Sequence, residues 1–347
     1  MSQIKLFWWN EGAHSKAVKL DGLTSASDLE ALDIPASFQP VIQNLLRARE
    51  GRPLVFMSSG TTAPPSPVIS KLNLSVDAKP AVDGIWATTF RSDTFGAFDV
   101  LRQAFRRQMF YLNLFQQWDH IDQWRGFAEG LLFLSTTPSW IRYLQAQAHR
   151  PLPGFDRVYL SGEPVRAADF ELTRSLFPGA DIMQIYGLTE TGTLLLSRTE
   201  EFQLVAHGEN TLMIDDSGEL IAKNRDGSFH RTKDIFERTS SGGWVFAGRK
   251  DRRFKVAGFL IHPEKIERYC EQLPGVLAAR IYAVPSALTE NIAGIKLVIE
   301  PGIEHKVFEK EFYATLSSLF PRHEIPQRIE YVTQLIDPGT GKKGEGL

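Results

Sequence analysis

Several short stretches of this chain carry residue types that could act on a phosphorylated ligand. The apolar run Leu54 to Met57 leads into Ser58-Ser59-Gly60-Thr61-Thr62, whose hydroxyls and free backbone N–H groups supply many donors without bulk. Such a loop can wrap phosphate oxygens, and the same composition also suits an ordinary surface turn. It is no Walker loop, because no Gly-Lys-Ser/Thr follows at the required spacing. Two further apolar runs end in loops, Gly162-Glu163-Pro164 and Tyr186-Gly187-Leu188-Thr189-Glu190. Tyr186 could stack on a planar base and Thr189 could donate to a phosphate. Glu190 is a hard oxygen ligand suited to a magnesium ion that bridges phosphates, or else a carboxylate in the first turn of a helix. Asp234 could accept two ribose hydroxyls or simply form a turn. The charges Arg249-Lys250-Asp251-Arg252-Arg253 read either as a solvated turn or as a hinge between two apolar strands.

The elements that must position these residues are those of an α/β protein. Strand-like runs (Ile85 to Phe90, Leu131 to Ser135) alternate with helical ones (Phe98 to Phe110, Trp140 to Ala148). That alternation indicates a layered α/β domain, whose ligands bind at the carboxyl ends of its strands. Residues 1–50 read as weakly organised, with a helical pattern from Phe38 to Arg47. Residues 210–248 read as β-hairpins. Beyond the charged seam, a strand over Val256 to Ile261, a helix from Glu264, strands near Ala278 to Val284 and Gly294 to Ile299 and a helix over Val307 to Leu319 form a small α/β module.

Composition narrows the function classes. With 347 residues the chain can bury a large core and accommodate about two domains. Its 39 basic and 41 acidic residues give a net charge of −2, which supports neither a nucleic-acid nor an anionic-membrane partner. Cys270 is the sole cysteine, so no intrachain disulfide or thiolate metal cluster can form. No apolar run approaches the ~20 residues of a membrane span, and the chain reads as cytoplasmic.

Taken in order, the motifs resemble those of the adenylate-forming superfamily of acyl-CoA synthetases, peptide-synthetase adenylation domains and luciferases, over residues 53–347. Ser58 to Thr62 is similar to the family's phosphate loop, Gly162-Glu163-Pro164 to part of its adenine pocket, and Tyr186 to Glu190 to its base-stacking and magnesium motif. Thr232-Lys233-Asp234 resembles the ribose-binding motif, Gly248 to Gly258 the hinge motif, and Thr340-Gly341-Lys342 the tail with the catalytic lysine. The resemblance implies a large layered α/β adenylating domain (1–249) and a small mobile α/β lid (250–347) that turns about Asp251. It implies ATP and Mg2+ as cofactors and a small carboxylic acid, aryl or acyl, as substrate. The acid is activated to an acyl-adenylate with release of pyrophosphate. A thiol, from CoA or from the phosphopantetheine of an acyl carrier protein, then takes the acyl group. Lys342 would serve the first step, the Lys255 to Gly258 face the second, and Arg249 the ribose. Phe90, Leu160 and Leu188 mark the neighbourhood of the acid.

Departures accompany the resemblance. Ala63 stands where the family usually has glycine, Ser66 where it has lysine, and Lys233 where the ribose motif has glycine. Phe90-Arg91 stands near the acyl site where many relatives carry Phe-His. The loop begins at Ser58, which implies a shortened N-terminal lobe and leaves room for a second copy of the chain, as a homodimer, to complete the pocket. The alternatives are a non-catalytic or partner-dependent adenylate-binding subunit, or adenylation without CoA transfer.

Overall fold

A computed structural model describes residues 3–9, 13–21, 23, 26–57, 67–70, 79–115, 130–147, 154–204, 211–223, 228–333 and 335. The chain divides into two units, the first Met1–Phe202 and the second Glu209–Asp337. The expected break at 249/250 falls inside the second unit.

The first unit is built on an eight-stranded sheet. Its strands are β1 (Gln3–Trp9), β2 (Ala13–Lys19), β5 (Gly84–Thr88), β6 (Phe110–Asn113), β7 (Leu131–Thr136), β8 (Arg157–Ser161), β9 (Asp181–Leu188) and β10 (Gly192–Ser197). They lie in the order β10-β9-β8-β7-β5-β6-β1-β2. The strands from β9 to β1 are mutually parallel, and β10 and β2 close the two edges antiparallel. A short hairpin, β3 (Leu54–Met57) with β4 (Pro67–Ser70), stands apart from this sheet. Parallel strands are buried on both faces, which explains the continuously apolar β5 and β7. Side chains alternate between two cores. Leu6, Trp86, Tyr111 and Phe133 face helices α2 (Gln39–Arg49) and α3 (Phe95–Arg107), beside the short α1 (Ala26–Glu30). Phe7, Ile85, Leu112 and Leu134 face α4 (Pro138–Gln147) and α5 (Ala167–Leu176). Helix α3 starts where the Thr94 hydroxyl accepts the Ala97 N–H at 3.5 Å, and stops at Gln108, whose φ of 60° no helix continues.

The N-terminus departs from the expectation of weak organisation. Lys5, Leu6 and Phe7 pair in parallel with Phe110, Tyr111 and Leu112, so β1 is an integral sheet strand. Its pairing partner lies so far along the chain that no local pattern announces it. The helix expected from Phe98 starts earlier, at Phe95, and Phe110 opens β6 instead of ending a helix.

The second unit holds an antiparallel sheet β11 (Thr211–Ile214), β12 (Glu219–Lys223), β13 (Phe229–Arg238), β14 (Trp244–Arg249). A 3-10 turn, Lys250–Arg252, leads to the hairpin β15 (Phe254–Val256) and β16 (Phe259–Ile261). The sequence suggests one strand over Val256 to Ile261. It breaks because Ala257 and Gly258 both take positive φ, 51° and 83°, the geometry of a two-residue hairpin turn. Beyond it, α6 (Pro263–Cys270) and α7 (His305–Leu319) pack with β17 (Val276–Ser286), β18 (Glu290–Ile299) and β19 (Arg328–Tyr331) around Ile266, Ile281, Ile295 and Phe312.

Candidate active site

In the first unit the candidate residues sit at the carboxyl ends of β5, β7, β8 and β9. The crossover through α3 carries the chain from β5 to β6 on one side, and β7 to β9 run off on the other, so the strand order reverses beside β5. Ligands of open α/β sheets bind outside the strand ends at such a reversal. There the Thr89 and Thr136 hydroxyls meet at 2.7 Å, the Trp86 indole donates to the Ser135 hydroxyl at 3.0 Å, and the Thr88 hydroxyl accepts the Phe90 N–H at 3.1 Å. All of these side chains are buried. This hydroxyl cluster was not singled out from the sequence. The signal was visible as Thr88-Thr89 and Ser135-Thr136-Thr137, each directly after an apolar run.

Tyr186, Gly187 and Leu188 end β9, and Thr189-Glu190-Thr191 form the hairpin turn to β10, with Leu188 opposite Gly192. Glu190 is therefore a turn residue and opens no helix, which removes its first-turn alternative; it is exposed. Gly187 is required by the close approach of the two strands, since a Cβ there would lie 2.8 Å from the Gly192 carbonyl oxygen. The Tyr186 ring meets Phe202 edge-on at 6.3 Å. Thr191 is buried, with no partner for its hydroxyl among the described residues. Glu190 is exposed, and its carboxylate is a hard oxygen ligand of the kind magnesium accepts when phosphate oxygens and water complete the shell. Among the described residues no group of three His, Cys, Asp or Glu side chains could hold a metal alone.

Gly162 takes φ 83° directly after β8, and the Glu163 carboxylate accepts the Ser139 N–H at 2.9 Å in the first turn of α4. This neutralises part of the positive end of that helix. Phe90 packs its ring against Gly96 in the core and Leu160 is fully enclosed, whereas Leu188 is half-buried. Of the three residues expected near the acid, the first two are therefore core.

In the second unit, Arg231 pairs with Ile221 and Ile235 with Glu219, so Thr232, Lys233 and Asp234 bulge opposite Leu220 alone. The Thr232 hydroxyl closes the bulge, donating to the Leu220 carbonyl at 2.8 Å and accepting the Asp234 N–H at 3.1 Å. Asp234 is a strand residue, 3% exposed, and not the turn aspartate of the alternative reading. Its Oδ1 accepts from Arg249 Nη1 at 3.0 Å. Arg249 also donates from Nε and Nη2 to Asp251, at 2.9 and 2.8 Å. That guanidinium holds the Asp251 carboxyl below the ordinary carboxylate range against the opposing effect of burial. Burial pushes the Glu219 carboxyl up, but Arg231, Lys250 and the Lys233 N–H together bring it below its usual value.

The solvated-turn reading of the seam does not survive for Arg252. Its side chain is largely buried and donates to Glu264 at 2.9 Å and to Glu267 at 2.7 Å, both on α6. Glu264 also accepts the Arg249 N–H at 3.2 Å, and Arg268 reaches the Phe246 carbonyl, so α6 is tied to β14. Lys255 is exposed on the β15–β16 hairpin and Gly258 forms its tip. The loop Ser58, Ser59, Gly60, Thr61 and Thr62, with Ala63 and Ser66, and the tail with Lys342 lie outside the described residues.

No family model matches the chain. Among solved structures, ATP-bound MatB from Rhodopseudomonas palustris aligns with a TM-score of 0.65 at 16% identity, over 81% of this chain and 64% of that one. This chain has the adenylate-forming fold. Among curated proteins, a 3-hydroxybenzoate–CoA/4-hydroxybenzoate–CoA ligase from Thauera aromatica is 26% identical over 121 residues, 34% of this chain and 23% of that protein. The phenyloxazoline synthase MbtB of Mycobacterium tuberculosis is 25% identical over 126 residues, 36% of this chain and 9% of that protein. The chain thus spans 64% of that solved structure and less than a quarter of the length of either curated protein. No helix among the described residues is long and apolar enough to cross a membrane.

Proposed function

We propose that the chain activates a carboxylic acid with ATP, forming an acyl-adenylate and pyrophosphate, and passes the acyl group to a thiol. The observation that carries this reading is the Tyr186-to-Glu190 turn at the carboxyl end of a sheet with the adenylate-forming fold. In such a step the carboxylate oxygen attacks the α-phosphorus and the bond to the β-phosphate oxygen breaks. Negative charge spreads over phosphoryl oxygens, so charge neutralisation and positioning matter more than covalent help. Tyr186 would stack on the base, with Gly162, Glu163 and Pro164 forming the backbone beside it. Thr189 would donate to a phosphate and Glu190 would hold magnesium, which neutralises phosphate charge when bound. Asp234 and Arg249 would take the ribose hydroxyls, the Ser58–Thr62 loop the pyrophosphate oxygens, and Lys342 the carboxylate and phosphate oxygens.

An aromatic acid is favoured as substrate, because the Thauera aromatica relative is named a hydroxybenzoate–CoA ligase. CoA or carrier-bound phosphopantetheine would supply the thiol, received on the Lys255–Gly258 hairpin after a turn about Asp251. Acid-dependent ATP–pyrophosphate exchange, screened over benzoates and aliphatic acids, tests the reading. Exchange with an aryl acid is expected. Nucleotide binding without exchange for any acid would replace it with a non-catalytic or partner-dependent adenylate-binding subunit.

A further inference from the structure

Lys233 holds a backbone conformation that its own side chain disfavours. Its φ of 61° is the left-handed region, which is strained for a non-glycine residue. The bulge enforces it: the Lys233 N–H is committed to Glu219 Oε1 at 3.1 Å, and the Thr232 hydroxyl ties both flanks. Glycine would meet the same demands without strain. The fold therefore explains the conformation but gives no reason for the side chain.

The surrounding charges give no reason either. Glu219 is satisfied by Arg231 at 2.9 Å and Lys250 at 3.1 Å, Asp234 by Arg249 at 3.0 Å, and Asp251 by Arg249 at 2.8 Å. Lys233 is exposed and its ammonium makes no ion pair among the described residues, while Asp251 still feels its charge. The result is a surplus cation next to a buried carboxylate, on a backbone fixed from two sides. An ammonium on a flexible stem is a mobile point charge suited to an external anion.

We propose that Lys233 binds a phosphate of the nucleotide whose ribose rests on Asp234, making this residue a determinant of preference for phosphorylated nucleotides over nucleosides. This rests on the nucleotide reading given above. The phosphate is the one at the ribose 5′ position, which leaves both ribose hydroxyls to donate to Asp234.

Calorimetric titration of the full chain with adenosine, AMP and adenosine 3′-phosphate tests this, the last lacking the 3′ hydroxyl that Asp234 would accept. Lys233→Gly is the informative variant, because it removes the charge while relieving the strain, so its melting temperature should not fall. Loss of roughly tenfold in affinity for AMP, with adenosine unchanged, is expected. The lost increment should shrink at high salt. Equal effects on adenosine and its phosphates, or no effect on any, would overturn the proposal. Asp234→Asn is the separate control: unchanged adenosine binding in that variant would overturn the ribose assignment itself. Failure of the unmodified protein to bind all three ligands would overturn both.

Discussion

The Arg249 guanidinium grips Asp251 through two nitrogens, Nε at 2.9 Å and Nη2 at 2.8 Å, and has its third nitrogen on Asp234 at 3.0 Å. A residue of the expected ribose motif and the expected pivot thus share one cation. Replacing it with alanine removes the guanidinium from a carboxylate that is 3% exposed. Arg249→Ala is expected to lose about 3 kcal/mol in denaturant unfolding, and Arg249→Lys to recover only part, since one ammonium cannot span two carboxylates in this geometry. An unchanged midpoint for Arg249→Ala would show that the pair contributes nothing.

Asp251 should make stability depend on acid. Its folded pKa is depressed, so its contribution is present above the ordinary carboxylate range near pH 4 and disappears as pH falls through the folded value. Asp251→Asn should flatten the acid limb of melting temperature against pH while leaving the slope above pH 6 untouched. Parallel curves for the two proteins would contradict this.

Arg252 is the stronger determinant of folding at the seam. Its two carboxylate partners, Glu264 and Glu267, are themselves largely buried; burial of the guanidinium disfavours its charge, and the two carboxylates outweigh that and raise the Arg252 pKa. Arg252→Ala leaves both without their shared cation and is expected to cost about 4 kcal/mol by equilibrium unfolding. The neighbouring Arg253→Ala, at a half-buried position, should cost less, about 1 kcal/mol. Similar effects at both positions would return the seam to an ordinary charged turn.

For chemistry, Glu190→Ala is expected to slow ATP–pyrophosphate exchange by roughly a hundredfold, the scale of losing one charge-stabilising group. Raising magnesium should rescue it partly. Lys342→Ala should abolish the exchange yet spare thioester formation from supplied acyl-adenylate. Equal loss of both half-reactions in that variant would remove the lysine from its assigned step.

The layered sheet was legible because its strands are short apolar runs bounded by glycine, proline and hydroxyl residues, and α2, α3 and α4 because their apolar spacing is helical. The motif loops were legible for the same reason: they follow those strands directly. What stayed hidden depends on partners remote in sequence. β1 becomes a strand by pairing with Phe110 to Leu112. Asp234 looks like a turn aspartate until Arg249 stands opposite it, and Arg252 looks solvated until α6 brings Glu264 and Glu267. The split of Val256 to Ile261 into two strands was partly announced by Gly258, but not by Ala257, whose positive φ only the hairpin demands.

The parallel pairing of Lys5 to Phe7 with Phe110 to Leu112 also has a kinetic meaning. Closing a loop of about a hundred residues comes late in folding, because its entropy must be met before the contact rewards it. Until then β6 presents an unpaired, apolar edge to other molecules. A fusion or deletion that delays the first strand would therefore reduce the yield of folded protein by self-association, even where it leaves the finished fold and every site residue unchanged.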